Sequence, residues 1–154
     1  MLQRTYKLHV GDLHSDHKPY NKWANYAQSK LCNILYARSL ASVLEANEVA
    51  GNAVSVHPGI IASPLWKEGN AAVTAISRFV LGGQKSIPQG AATTVFACLS
   101  PEYGGDNSSK RGIYLEDCGI GNCTAAAKND VLAYKLWTTT LSQLQRADNL
   151  LKEK

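Results

Sequence analysis

The chain has 154 residues, 45% of them apolar and 18% charged, and its 16 Lys+Arg against 12 Asp+Glu leave a net charge of +4. That is one domain's length at an ordinary globular composition, which excludes a disordered or collagen-like chain. No run approaches the roughly 18 apolar residues of a membrane span, and the basic residues are scattered without aromatic interleaving, so neither a transmembrane segment nor a nucleic-acid partner is expected.

The opening stretch MLQRTYKLHVGDLHSD lacks the apolar core and small-residue cleavage site of a secretory signal, so a cytoplasmic location is the default expectation. Asp12, His14, Asp16 and His17 could be drawn as a metal cluster, but a solvated loop is the stronger reading and no metal is expected. From Asn21 to about Ala46 there is no Gly or Pro, and Ala27, Leu31, Ile34 and Leu35 recur at i, i+4, i+7 and i+8, which predicts a long helix. Cys32, Tyr36, Leu40, Val43 and Leu44 widen its apolar girth, so it should pack against both a sheet and another helix. After the turn Gly51-Asn52, the run Ala53-Val54-Ser55-Val56-His57, stopped by Pro58-Gly59, reads as a buried strand feeding a loop, with His57 as a packed structural residue.

Residues 60–70, with Pro64 and Trp66, read as an irregular loop, and Ala71 to Leu81 as a weaker helix ended by Gly82-Gly83. A third helix begins near Pro88, which suits a first helical turn, and runs to Ser100. Gly104 to Lys110 is a polar loop, Gly112 to Asp117 a second strand, and a helix from about Ala126 or Asn129 to Leu150 closes the chain. Gly119-Ile120-Gly121-Asn122-Cys123-Thr124 imitates a phosphate-binding Gly-x-Gly-x-x-Gly, but Thr124 replaces the third Gly, and a flexible connector is the better reading. Cys32, Cys98, Cys118 and Cys123 form no Cys-x-x-Cys pair and are expected as reduced structural thiols. The alternation of helix and strand is α/β. Two strands joined through helices should lie parallel, and two alone cannot cover such a sheet, so the missing strands are expected from another chain, from residues 1–10, or from a longer protein.

Tyr26 and Lys30 stand four residues apart on the long helix, one turn apart on one face. An ammonium beside a phenol favours the phenolate, which brings a group that ordinarily titrates near pH 10 toward the range of a working acid/base. Asn33 and Ala37 continue the same line. Alone the pair is weak, since a Lys lying over a Tyr ring is common in helices.

In context it says more. WANYAQSKLCNILYARSLA, followed by VSVHPGIIASPL, Gln89-Gly90-Ala91-Ala92, GIYLEDC and the Leu136-Trp137 helix, resembles the short-chain dehydrogenase/reductase family, in its retinol dehydrogenase-like branch, over most of residues 10–145. The resemblance implies the C-terminal part of a Rossmann-like doubly wound parallel sheet, a single partial domain over 1–154 whose nucleotide-binding N-terminal half is absent. It implies Tyr26 as catalytic acid/base, Lys30 as the residue that holds the nicotinamide ribose and lowers the Tyr pKa, and Pro58, Gly59, Ile61 and Ser63 as the loop that meets the nicotinamide end of NAD or NADP. Residues 64–81 fall where the family keeps a substrate-binding lid, and Leu65, Trp66, Val73, Ile76, Phe79 and Val80 suit a lipophilic alcohol or carbonyl substrate, although an amphipathic helix packed on its own sheet fits them equally. The Gly-rich pyrophosphate turn, the catalytic Ser and the helix Asn of the family have no counterpart; Ser15, in a polar loop, does not replace that Ser. Weak or no activity is therefore expected of the isolated chain, with a non-catalytic subunit that dimerises through the Tyr26 helix as the alternative.

Overall fold

The structure is a computed structural model that describes residues 8–14, 16–17, 19–61, 85–103 and 110–152. Helix α1 spans Lys22–Ala46. It starts where Asn21 adopts an extended backbone and its carboxamide oxygen accepts the amides of Trp23 and Ala24 at 3.0 and 3.1 Å, satisfying two of the donors a helix start leaves free. It stops where Glu48 turns left-handed at φ 53, so that the Val49 amide reaches back to the Leu44 carbonyl at 2.9 Å and the Glu48 amide to that of Glu45 at 3.1 Å. This is a Schellman closure, made here without the usual glycine. The expected boundaries and the buried face of Ala27, Leu31, Ile34 and Leu35 are both found.

The return through Gly51-Asn52 is pinned by the Asn52 carboxamide nitrogen, which donates to the carbonyls of Tyr103 and Lys110 at 2.9 and 3.2 Å. Strand β1, Ser55–His57, follows; helix α2 covers Ile87–Leu99, strand β2 Tyr114–Glu116, strand β3 Gly119–Ile120 and helix α3 Asp130–Lys152. A 3₁₀ turn over Ala126–Lys128 leads into α3, and another covers Val10–Asp12. Helix α2 is capped by a reciprocal box in which the Gln89 amide donates to the Ser86 hydroxyl and the Ser86 amide to the Gln89 side chain, with Pro88 in its first turn.

The sheet order is β1-β2-β3, with β1 and β2 parallel, pairing Ser55 with Tyr114, Val56 with Leu115 and His57 with Glu116. The parallel pairing of the two expected strands is therefore observed. Three corrections accompany it. Strand β1 is half-buried along its length rather than buried, because it forms one edge of the sheet. The third strand comes from Gly119–Ile120, which folds back antiparallel on β2, where a flexible connector was expected; residues 8–10 are not strand, and residues 1–7 lie outside the described residues. The connector is instead a two-residue hairpin loop, Asp117-Cys118, with φ of 52 and 56, the double positive φ of a type I′ turn. The second predicted helix, 71–81, and most of the 104–110 loop lie outside the described residues.

The core is the seam between α1, α3 and β2. Leu31, Ile34 and Leu35 meet Tyr114, Ala127, Ala133 and Leu136. Leu31, Leu35 and Leu115 are fully excluded from water, each such side chain being worth about 2 kcal/mol of burial. Helix α1 packs on α3 and also on β1, as its wide apolar girth led us to expect. Tyr36, although half exposed, stacks its ring 4.9 Å from that of Trp137, and Arg38 pairs with Asp130 at 2.5 Å, so polar and aromatic contacts extend the helix seam to the surface. The four cysteines are free, with Cys98 and Cys118 exposed.

Gly112, with φ +65, lets the chain ahead of β2 approach α1 closely. A Cβ there would lie 3.0 Å from the Arg38 backbone and 3.4 Å from Ala41, while the Gly112 amide donates to Ala53 at 2.9 Å. Both parallel strands thus begin beside the C-terminal half of α1.

Candidate active site

Tyr26 lies in the second turn of α1, followed at once by Ala27 and Gln28, which are buried. The helix periodicity that carries Ala27 and Leu31 inward turns Tyr26 and Lys30 outward, and Tyr26 is 51% exposed. The Lys30 ammonium sits 5.2 Å from the Tyr26 ring centroid, within cation–π range, so the structure brings the expected pair together. The turn beneath is fixed at both sides. Ser29 donates its hydroxyl to the Tyr26 carbonyl at 2.8 Å, and buried Gln28 donates to the Leu13 carbonyl at 3.0 Å, anchoring the preceding segment. In that segment Asp12 accepts the Asp16 amide at 2.8 Å and the His17 amide at 3.4 Å, and no metal-holding group of three His, Cys, Asp or Glu occurs among the described residues.

The Pro58–Gly59 loop leaves the C-terminal end of β1, the end at which open α/β sheets bind ligands. Gly59 has φ +82, a left-handed conformation that favours glycine, and the flexible end of the Lys85 side chain lies where a Cβ would be. Its amide donates to His57 Nδ1 at 3.1 Å. The same Nδ1 lies 3.5 Å from Glu116 Oε1, and the imidazole stands over the Tyr114 ring at 6.3 Å between centroids. Burial pushes the His57 pKa below its ordinary value, against the pull of Glu116. His57 is thus not merely packed: it is the polar hub of the strand end.

Ile61 forms a parallel bridge with Lys85, whose amide donates to the Ile60 carbonyl at 2.7 Å. Gly90 makes this contact possible, since a Cβ there would fall 2.2 Å from Ile61 Cδ1. The Lys85 ammonium pairs with Asp117 of the hairpin loop. Of the residues expected to meet a cofactor, Tyr26, Lys30, Pro58, Gly59 and Ile61 are described, while Ser63 and the 64–81 segment lie outside the described residues. Sequence reading missed Lys85, Glu116 and Asp117. Only the strand register, which sets His57 opposite Glu116, could have found them, and register across an α/β crossover is not visible in a sequence.

No family model matches the chain. Among curated proteins it is 34% identical over 137 residues to "Short-chain dehydrogenase TIC 32 A, chloroplastic" of Brassica napus, covering 87% of this chain and 41% of that protein. It is 33% identical over 133 residues to Retinol dehydrogenase 14 of Homo sapiens, covering 84% of the chain and 38% of the relative. Polyprenol dehydrogenase of Mus musculus is 32% identical over 134 residues, with coverages of 86% and 38%. The chain spans about two fifths of the length of these relatives. Its fold is similar to that in the crystal structure of an uncharacterized protein from Mycobacterium paratuberculosis, with a TM-score of 0.60 at 23% identity, covering 90% of this chain and 45% of that one.

Proposed function

Since the chain belongs to the short-chain dehydrogenase/reductase family across most of its length, we propose that it carries the proton-handling part of an NAD(P)-linked oxidoreductase that interconverts an alcohol and a carbonyl. The observation that carries this reading is the Tyr26-Lys30 pair, stacked at 5.2 Å on a face of α1 open to solvent. In this reading Tyr26 gives a proton to, or takes one from, the substrate oxygen. Lys30 holds ribose hydroxyls, and Pro58, Gly59, Ile61 and Ser63 receive the nicotinamide end. NAD(P), when bound, supplies or accepts the hydride. The residues present fit that end of a dinucleotide only: no Gly-rich turn at a helix start is found among the described residues to hold a pyrophosphate. The substrate is proposed to be lipophilic, after the retinol and polyprenol dehydrogenases it resembles. Full activity is proposed to need the nucleotide-binding part of the fold, supplied in cis or by another chain.

Amide spectra recorded with millimolar-range NAD(H) and NADP(H) test this directly. Shifts centred on Lys30 and Gly59 are expected, and Tyr26→Phe should keep the shifts while abolishing any alcohol-dependent NAD(P)H formation. Turnover unchanged in Tyr26→Phe, or shifts elsewhere only, would overturn the assignment.

A second reading is favoured by one observation: Tyr20, Trp23 and Tyr26 expose 76%, 57% and 51% of their surfaces at and just before the start of α1. Such a patch suits a non-catalytic subunit docking on a relative or a second copy through this helix. Light scattering on Trp23→Ala against the unchanged chain separates the two, since only the docking reading expects the mass to fall.

A further inference from the structure

One ring nitrogen of His57 faces two partners that require opposite protonation states. Neutral Nδ1 is an acceptor, and it takes the Gly59 amide at 3.1 Å. Protonated Nδ1 is a donor and can no longer accept that amide, but Glu116 Oε1 stands 3.5 Å away, ready to receive its proton. We infer that His57 is a positioning residue: its protonation transfers Nδ1 from Gly59 to Glu116 and frees the Gly59 amide for an acceptor on a bound ligand. The inference rests on the reading of Pro58–Gly59 as the loop that meets the nicotinamide end, and it assigns that loop a proton-coupled control.

The surroundings favour a two-state response. Glu116, on β2, draws the imidazolium in, as does Asp117 in the hairpin loop, while Lys85 opposes them from the strand ahead of α2. Asp117 and Lys85 are themselves paired, so their charges oppose each other at the ring, and among the charged groups Glu116 acts on it most strongly. Helix α2 carries no charged residue, and among the charged side chains of α1 Arg38 is paired with Asp130 and Lys30 lies over Tyr26. The side chains of His57 and Glu116 are 31% and 34% exposed, so solvent protons reach the ring while Nδ1 stays beside both partners. Pro58, which lacks an amide proton, leaves Gly59 as the first loop residue able to donate.

The test is NMR on the full chain without ligand from about pH 8 to about pH 4.5, bracketing the ordinary imidazole range, and it follows the His57 ring nitrogens together with the Gly59 amide. At high pH the ring is expected as the Nε2–H tautomer with Gly59 protected from exchange. On acidification Gly59 should lose roughly tenfold protection, the worth of one hydrogen bond, with the same midpoint as the ring. Glu116→Gln should lower that midpoint. His57→Asn should hold Gly59 protected at every pH, because an Asn oxygen accepts the amide two residues onward as an Asx turn. A Gly59 amide indifferent to the ring's titration, an Nδ1–H tautomer at high pH, or a midpoint unmoved in Glu116→Gln would overturn the inference. NADH and NADPH titrations over the same range test the underlying functional reading separately. If Gly59 follows His57 but nucleotide affinity does not, the switch stands and the nucleotide assignment falls; if both follow one midpoint and His57→Asn is flat, both stand.

Discussion

The side chains that matter at the strand end are those whose partners lie across the sheet. His57 looked isolated in the sequence, yet the parallel register puts Glu116 directly beside it and the next residue, Asp117, within reach of Lys85. Burial lowers the His57 pKa in the folded state, so between that lowered value and the ordinary one near pH 6.5 the unfolded chain binds the proton more readily. The contribution of His57 to stability is therefore complete above about pH 6.5 and is lost as pH falls toward the folded midpoint. Urea titrations are expected to show His57→Gln with a shallower fall in stability on acidification than the unchanged chain. Equal slopes would mean that the imidazole titrates alike in both states. Tyr26 and Lys30, by contrast, were legible from spacing alone, because i and i+4 on an uninterrupted helix can only share a face. The distinction is general: contacts within an element are written in its periodicity, whereas contacts between strands depend on register.

The elements were legible where their boundary chemistry is conventional. The break-free run from Asn21, and Pro88 as a first-turn residue, announce the starts of α1 and α2, and both were placed within a residue. The β2–β3 hairpin escaped because Asp117-Cys118 takes positive φ at both positions, a conformation usually announced by Asn-Gly or Asp-Gly. The end of α1 likewise uses Glu48 where a glycine would signal the stop. These departures leave stability unrealised. A left-handed residue with a Cβ costs about 1–2 kcal/mol, of which glycine's greater unfolded freedom takes back about 0.5–1. Glu48→Gly and Cys118→Gly are each expected to raise unfolding free energy by about 0.5–1 kcal/mol in chemical denaturation. Cys118→Gly retains the backbone amide that donates to the Thr93 hydroxyl at 3.3 Å, so a loss instead of a gain would show that the thiol itself contributes to the hairpin.

Across the whole molecule, order is unevenly distributed. Helix α3 buries only Ala133 and Leu136, near its start, and from Leu141 onward its described residues are all exposed. A helical end of about a dozen residues without a packed face is marginal in water. Amide exchange is expected to be slow through Leu136 and to accelerate progressively beyond Thr140, and truncation after Thr140 should change unfolding free energy by less than about 0.5 kcal/mol. Slow exchange maintained to Leu150 would point instead to self-association through Leu141, Leu144 and Leu151, which are 49%, 61% and 72% exposed. The bridge between Ile61 and Lys85 has a different reach. The chain departs and returns through one point of contact, sealed by the Lys85 amide and by the space that Gly90 leaves for Ile61. The Pro58–Gly59 loop and the start of α2 are therefore held together by side chains and backbone at Ile61, Lys85 and Gly90 themselves.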